Sequence, residues 1–153
     1  MVDYKRDVVR ELHAPARKNF LRRKVDIRDK DETWQADLVE MIEHSRVNSG
    51  YNYILTVIDI FSKFSWAVGL KNKTGKEVSA AMESIFKEGR VCKNLHVDQG
   101  TEFYNSTFKT MIKKYNVHMY STFTHLKASI VERFNRTLKN KMFFEFSMQG
   151  NYK

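Results

Sequence analysis

The hydrophobic period of this sequence changes after residue 70, and that change limits the possible folds more than any other feature. Three apolar runs rich in β-branched and aromatic residues, at 33–41, 51–61 and 64–70, predict strands. Because only two residues separate the second run from the third, these strands should be antiparallel neighbours. Beyond the third run the apolar residues recur at helical spacing, so the rest of the chain should not continue as a β-meander.

The second half of the chain alternates helices with short strands. Thr74 and Glu77 form a capping box at the start of its first helix, and Ser106 is the expected N-cap of the next. Strand–helix–strand units of this kind need right-handed crossovers and parallel pairing. We therefore predict an α/β fold in which a mixed five-stranded sheet, three antiparallel strands and then two parallel ones, is flanked by helices. The predicted elements of this half are a helix over 74–89, a strand over 94–98, a helix from 106, a strand over 117–122 and a helix over about 130–148.

Composition indicates one folded domain. The chain has 153 residues, of which 42% are apolar and 13% aromatic, so it can bury a core and is not a disordered tail. A single cysteine, Cys92, excludes an internal disulfide and a multi-cysteine zinc site. No signal peptide and no apolar run of membrane-spanning length is visible, so we expect a soluble intracellular protein without a membrane partner.

Basic residues outnumber acidic ones. The 27 Lys and Arg against 18 Asp and Glu give a net charge of +9, which favours a polyanionic partner, most often nucleic acid. Charge alone leaves this open, since many basic proteins bind no nucleic acid. Residues 1–32 are rich in charge and hold the one proline, so we interpret them as a basic N-terminal arm or linker before a core over 33–148.

Two aspartates should meet at one edge of the sheet. Asp98 ends the 94–98 strand, and Asp37 lies on the first strand. If these two strands are parallel neighbours, the carboxylates approach each other near the carboxyl ends of the strands, where open α/β sheets bind ligands. For Asp98 the alternative is an ordinary turn residue, because Gly100 follows two positions later.

A third acid, Glu132, falls in the first turn of the last helix and off its apolar stripe. That stripe consists of Val131, Phe134, Leu138 and Met142. Basic residues follow Glu132 one and two turns along the helix, which suits a metal site on a phosphate backbone. The alternative is that Ser129 and Glu132 form a capping box, so that Glu132 only satisfies free backbone amides. Asp59, on the second predicted strand, could be a fourth acid of the site, but we favour a structural role for it.

Three motifs carry a family resemblance. The segments are WQAD with Asp37, HVDQGTEF with Asp98 and SIVERFNRTLK with Glu132. Together they resemble the catalytic core of retroviral-type integrases, the DDE polynucleotidyl transferases with a ribonuclease-H-like fold. The resemblance covers about residues 34–148, and the segments TEFYNSTF, MYST and ERFNRTLKNK are most similar to integrases of Polinton/Maverick DNA transposons. The 33 residues between Asp98 and Glu132 are similar to the Polinton-type spacing.

The resemblance implies a function and a set of site residues. It implies a DNA integrase core that processes and joins DNA ends, with Asp37, Asp98 and Glu132 as the catalytic triad holding two Mg²⁺ or Mn²⁺ ions. The partners would be transposon ends and target DNA, and the protein would be a nuclear homo-oligomer. The expected DNA-binding residues are Lys127, Arg136, Lys139 and Lys141, for which a solvated surface is the alternative.

The chain also departs from the family pattern. Its five histidines and one cysteine offer no spacing for the N-terminal zinc module, and residues 149–153 follow the last helix as a truncated C-terminal end. Two alternatives therefore stay open. One is a catalytically impaired, nucleic-acid-binding remnant of an integrase, and the other is a ribonuclease-H-type nuclease that only hydrolyses.

Overall fold

The computed structural model of the protein describes residues 2–14, 26–122 and 129–152. A short 3-10 turn at Ile42–His44 follows the first strand. The order of the predicted strands and helices is confirmed, and one more helix precedes them. The elements are α1 (Val2–Leu12), β1 (Thr33–Glu40), β2 (Tyr53–Asp59), β3 (Ser65–Leu70), α2 (Gly75–Lys87), β4 (Asn94–His96), α3 (Ser106–Lys114), β5 (His118–Tyr120) and α4 (Ser129–Gln149).

The five strands form one mixed sheet in the order β3-β2-β1-β4-β5. β1 pairs with β2 and β2 with β3 in antiparallel fashion, whereas β4 pairs in parallel with both β1 and β5. This confirms the predicted sheet of three antiparallel strands followed by two parallel ones. β1 therefore lies at the centre of the sheet, with neighbours on both edges.

Each face of β1 meets a different layer, because successive side chains on a strand point to opposite faces. Trp34 and Ala36 join the main hydrophobic core with residues of α2 and α3, and the Trp34 ring lies 5.9 Å from that of Phe86. Val39, on the other face, clusters with Phe146 of α4. The sheet is thus covered by α2 and α3 on one side and by α4 on the other.

The caps of the two middle helices differ in how well they were predicted. Thr74 is the N-cap of α2 and accepts a hydrogen bond from the Glu77 amide, as expected. The prediction of Ser106 as the N-cap of α3 is wrong, because Asn105 takes that place and its Oδ1 accepts from the Phe108 amide at 2.9 Å. Asparagine caps as well as serine does, so two adjacent candidates could not be separated by residue type.

Part of the predicted N-terminal arm is the helix α1, which packs on α4. Val9 is buried, Lys5 Nζ donates to the Met148 carbonyl at 2.8 Å, and His13 Nε2 lies 3.1 Å from Ser147 Oγ. Residues 15–25 of the arm lie outside the described residues. In the described part of the chain, no helix combines the length and the apolar character that crossing a membrane requires.

Candidate functional site

Gln35 and Asp37 lie on the face of β1 that meets α4. Both contact α4 directly. Gln35 Oε1 accepts from the first backbone amides of the helix, and Asp37 Oδ2 accepts from Asn135 Nδ2 at 2.7 Å. The first two turns of α4, where Glu132 lies, are therefore held against the Gln35–Asp37 stretch of β1.

The strand register brings Asp37 and Asp98 together. In the parallel β1–β4 pair, Gln35 lies opposite His96. Two residues further along, on the same face, the backbones carry Asp37 and Asp98. The predicted strand over 94–98 is shorter than expected, since β4 ends at His96. Asp98 is exposed and its Oδ1 accepts from the Gly100 amide at 3.3 Å, so it also makes the turn contact that was the alternative interpretation.

Asp37 is the partly buried member of the three acids. Burial raises its pKa, a hydrogen bond from the Leu38 amide at 2.8 Å opposes that rise, and the charges of Asp98 and Glu132 raise the pKa further. The Asn135 amide group lowers it, but the net result is a pKa above the ordinary range of an aspartate. Asp98 and Glu132 are thus both near enough to repel the Asp37 charge.

Glu132 lies exposed in the first turn of α4. Two free amides of that turn, those of Ile130 and Val131, donate to Gln35 Oε1 at 3.1 and 3.0 Å. Among the described residues, no hydrogen bond joins Glu132 to Ser129, as the capping-box alternative would require. A side chain of β1 thus accepts from two amides of this first turn, and the Glu132 carboxylate forms no hydrogen bond or ion pair with the described residues.

The donor set of this site suits a hard divalent cation. Mg²⁺ prefers oxygen ligands and keeps several waters, so a few carboxylates together with a phosphate can hold it. The described residues nevertheless contain no group of three or more His, Cys, Asp or Glu side chains already arranged around a metal position. The three acids match the metal in charge and atom type, and their carboxylates would have to converge to bind it.

Three of the four expected DNA-binding residues lie on the open surface of α4. Arg136, Lys139 and Lys141 are all exposed, and none forms an ion pair within the described ranges 2–14, 26–122 and 129–152. Lys127, the fourth, lies outside the described residues. The helix that carries Glu132 therefore presents cations to solvent.

Sequence reasoning missed Asn135. It is 8% exposed, it donates to Asp37, and its Oδ1 has no hydrogen-bond partner in the described part of the chain. The available signal was its position four residues after Val131, where the helix face that packs on the sheet should be apolar. A polar side chain on that face needs a partner, and Asp37 is that partner.

Asp59 lies at the opposite end of the sheet. Its side chain is fully buried, and it accepts hydrogen bonds from the Ser62 hydroxyl and from Arg90 Nη2, the latter at 2.8 Å. Asp59 is thus paired with a cation, Arg90, which it shares with Asp31, in agreement with the structural role that we favoured.

The family model described as "Integrase core domain" matches residues 28–125, more than half of the chain. An uncharacterized transposon-derived protein of Caenorhabditis elegans is 39% identical over 103 residues, which are 67% of this chain and 36% of that protein.

A solved structure matches the fold. It is the cryoEM structure of the simian T-cell lymphotropic virus intasome in complex with the PP2A regulatory subunit B56 gamma. One of its chains has a TM-score of 0.68 at 18% identity, over 79% of this chain and 43% of that chain. At this identity the match establishes a ribonuclease-H-like fold of the integrase type. The chain spans less than half the length of either of these two proteins.

Proposed function

This chain belongs to the integrase core domain family, and we propose that it is the catalytic core of a transposon-derived DNA integrase. One observation carries the proposal. Asp37 is partly buried beside Asp98 and Glu132, and their charges raise its pKa. Three carboxylates from a central strand, the end of its parallel neighbour and the start of a helix lower their mutual repulsion when they share a cation.

In the proposed reaction, Asp37, Asp98 and Glu132 would hold two Mg²⁺ or Mn²⁺ ions. When bound, such a pair of ions stabilises the charge on the attacking and leaving oxygens of a phosphodiester. Asn135 fixes the Asp37 carboxylate by donating to its Oδ2 at 2.7 Å. The nucleophile is water in DNA end processing and a DNA 3′-hydroxyl in strand transfer.

The proposed DNA contacts follow from the charge of α4. Arg136, Lys139 and Lys141 are exposed on the helix that carries Glu132, so they are available for phosphates near the acids. We include Lys127 from the sequence alone. The substrates would be transposon ends and target DNA, and a nuclear homo-oligomer would act on them. Within the family we propose a Polinton/Maverick origin, which the 33 residues between Asp98 and Glu132 support.

The proposal is tested by incubating the protein with a labelled DNA duplex that mimics a transposon end. Reactions contain Mg²⁺, Mn²⁺ or EDTA, and cleaved and joined products are separated on a gel. We expect both products with either metal and neither in EDTA. Glu132→Gln should abolish both products, because a neutral amide is a poor Mg²⁺ ligand. Glu145→Gln is the matched control, since it removes the same charge from an exposed position on the same helix.

The same assay separates the alternatives. Binding in EDTA without products under any condition would favour the impaired remnant, for which the lack of a preformed three-ligand cluster among the described residues is the supporting observation. Cleavage without joining, extended to an RNA–DNA hybrid, would favour a hydrolytic nuclease. Normal products from a folded Glu132→Gln variant would refute the assignment of Glu132.

A further inference from the structure

Gln35 forms hydrogen bonds to two other elements of the fold, which packing of a buried strand residue does not require. It lies on the central strand, its side chain faces α4, and only 5% of its surface is exposed. Its Oε1 accepts from the amides of Ile130 and Val131, at 3.1 and 3.0 Å. The first amides of a helix have no partner within the helix. Gln35 supplies an acceptor for two of them from a different element, which ties the start of α4 to the middle of the sheet.

The orientation of the Gln35 amide follows from these two contacts. Both backbone groups are donors, so the oxygen of Gln35 faces α4 and its nitrogen faces the other way. That nitrogen lies 3.2 Å from His96 Nδ1, which must therefore accept. The neutral imidazole then carries its proton on Nε2, 3.3 Å from Thr122 Oγ1. A chain of hydrogen bonds thus runs from the end of β5 through β4 and β1 to α4.

His96 is well placed to hold this orientation. It is 7% exposed, and its ring stacks on Tyr120 with the centroids 4.9 Å apart and the planes 2° apart. With the ring fixed between a stacking partner and Thr122, its Nδ1 presents a lone pair to the Gln35 amide. A rotated amide would set an N–H group against the amide donors of α4, so His96 and α4 together select one orientation.

The residues in this chain of hydrogen bonds lie close in sequence to the three acids. Gln35 precedes Asp37 by two residues and His96 precedes Asp98 by two. Val131, whose amide Gln35 holds, directly precedes Glu132. The contacts therefore join the three backbone segments that carry the three acids, one residue or two from each acid.

We propose that Gln35, oriented by His96, is a positioning residue that sets Glu132 at a fixed distance from Asp37 and Asp98. Its catalytic consequence rests on the proposed integrase function, but the tether itself does not. Gln35 acts through the start of α4, and we assign it no direct contact with the metal or the DNA. Glu132 lies in the first turn of a helix, and without the tether that turn could shift against the sheet.

The tether is tested in Gln35→Met, which keeps the length of the side chain and removes its hydrogen-bonding groups. Amide hydrogen exchange is followed by NMR in EDTA. We expect exchange at Ile130 and Val131 to accelerate by about tenfold or more, with exchange in β2 and β3 unchanged. Gln35→Glu, which restores an acceptor, should return much of the protection. Ser79→Ala is the control, because it removes a buried polar group from α2, on the other side of the sheet.

The catalytic consequence is measured with end-mimic DNA and Mn²⁺. Gln35→Met should lower kcat on the order of 10- to 100-fold, because small misplacements of catalytic groups carry such costs. The affinity for DNA in EDTA should not change, since no DNA contact is lost. Ser79→Ala should leave kcat and exchange near α4 as they are in the unmodified protein.

Two results would overturn the proposal. One is unchanged exchange at Ile130 and Val131, or acceleration spread evenly over the sheet, in Gln35→Met. The other is a selectively loosened helix start with normal kcat, while Glu132→Gln is inactive. If the unmodified protein makes no products, the integrase function fails and the catalytic role of Gln35 fails with it, whereas the exchange experiment still decides whether the tether exists.

Discussion

The two ends of β1 place carboxylates in opposite electrostatic settings. Near its amino end, Arg90 contacts both Asp31 and Asp59, and its guanidinium lies 5.0 Å from the Trp66 ring. Near its carboxyl end, Asp37 faces the like charges of Asp98 and Glu132. The first group of acids has a cation within the protein, and the second has none among the described residues close enough to form an ion pair.

The pKa values of the buried Asp59 and the partly buried Asp37 move in opposite directions. Burial of Asp59 disfavours its charge, but hydrogen bonds from the Ser62 hydroxyl, from the Phe61 and Ser62 amides and from Arg90 lower its pKa below the ordinary range. Burial raises the pKa of Asp37, and its two acidic neighbours raise it further. A carboxylate with an internal cation stabilises the fold, whereas one crowded by other carboxylates gains when a cation arrives from outside.

The largest expected effect is a loss of stability when the Arg90 ion pairs near the amino end of β1 are removed. Arg90→Met should lower the free energy of unfolding by about 3–5 kcal/mol, because it leaves the buried Asp59 without its cation. Urea unfolding followed by circular dichroism measures the change. Lys114→Met is the control, since its ion pair with Glu83 is exposed and should contribute little. Equal losses of unfolding free energy in the two variants would mean that the buried Arg90–Asp59 pair stabilises the fold no more than an exposed ion pair does.

A smaller loss is expected for Asp59→Asn, about 2 kcal/mol at neutral pH. Because the folded pKa of Asp59 is lowered, its contribution is present above the ordinary aspartate pKa of about 3.9 and is lost as the pH falls through the folded value. The two proteins should therefore converge in stability below about pH 4. Metal-dependent activity of the folded variant should persist. Loss of that activity with unchanged stability would mean that Asp59 belongs to the site.

The opposite sign is expected for Asp37→Asn. In EDTA at neutral pH this variant should be more stable than the unmodified protein, because it removes a partly buried charge that two carboxylates repel. The folded pKa of Asp37 is raised, so protonation at lower pH relieves the same repulsion. The advantage of the variant should therefore shrink as the pH falls through that raised pKa. A variant that is less stable at every pH would show that the charge of Asp37 serves the fold.

The smallest expected effect concerns DNA affinity. Replacing Arg136, Lys139 or Lys141 by Gln should each weaken binding to any sequence and reduce the slope of log affinity against log salt by about 1. Fluorescence anisotropy in EDTA over a range of salt concentrations gives the slope. Lys87→Gln, an exposed change on α2, should leave the slope unchanged. If none of the three α4 changes affects the slope, DNA binds to a different surface of the protein.

The sheet could be predicted because each strand leaves a local signal in the sequence. The apolar runs at 33–41, 51–61 and 64–70 and the later alternation of helices and strands determine the order and the pairing of the strands. The cap of α3 could not be predicted, because Asn105 and Ser106 are adjacent and chemically equivalent as caps.

The candidate site was predictable only in part. The three acids occur in motifs, whereas the contacts that hold them join residues far apart in the chain. Gln35 binds amides 95 and 96 residues away, and Asn135 binds Asp37 from 98 residues away. Neither pairing leaves a periodic signal. What could be read was a polar residue on a buried helix face, which signals that a partner exists without identifying it.

The most direct test of the account is the response of thermal unfolding to Mn²⁺ in the unmodified protein and in Asp37→Asn. A cation that binds the acid end of β1 must stabilise the fold, by about 2.7 kcal/mol at a free concentration of 100 times Kd. We predict that the Tm of the unmodified protein rises steadily with Mn²⁺ and overtakes that of Asp37→Asn, whose Tm stays level. A Tm that ignores Mn²⁺ in the unmodified protein, or that rises equally in both proteins, would contradict the assignment of this end of the sheet as the metal site.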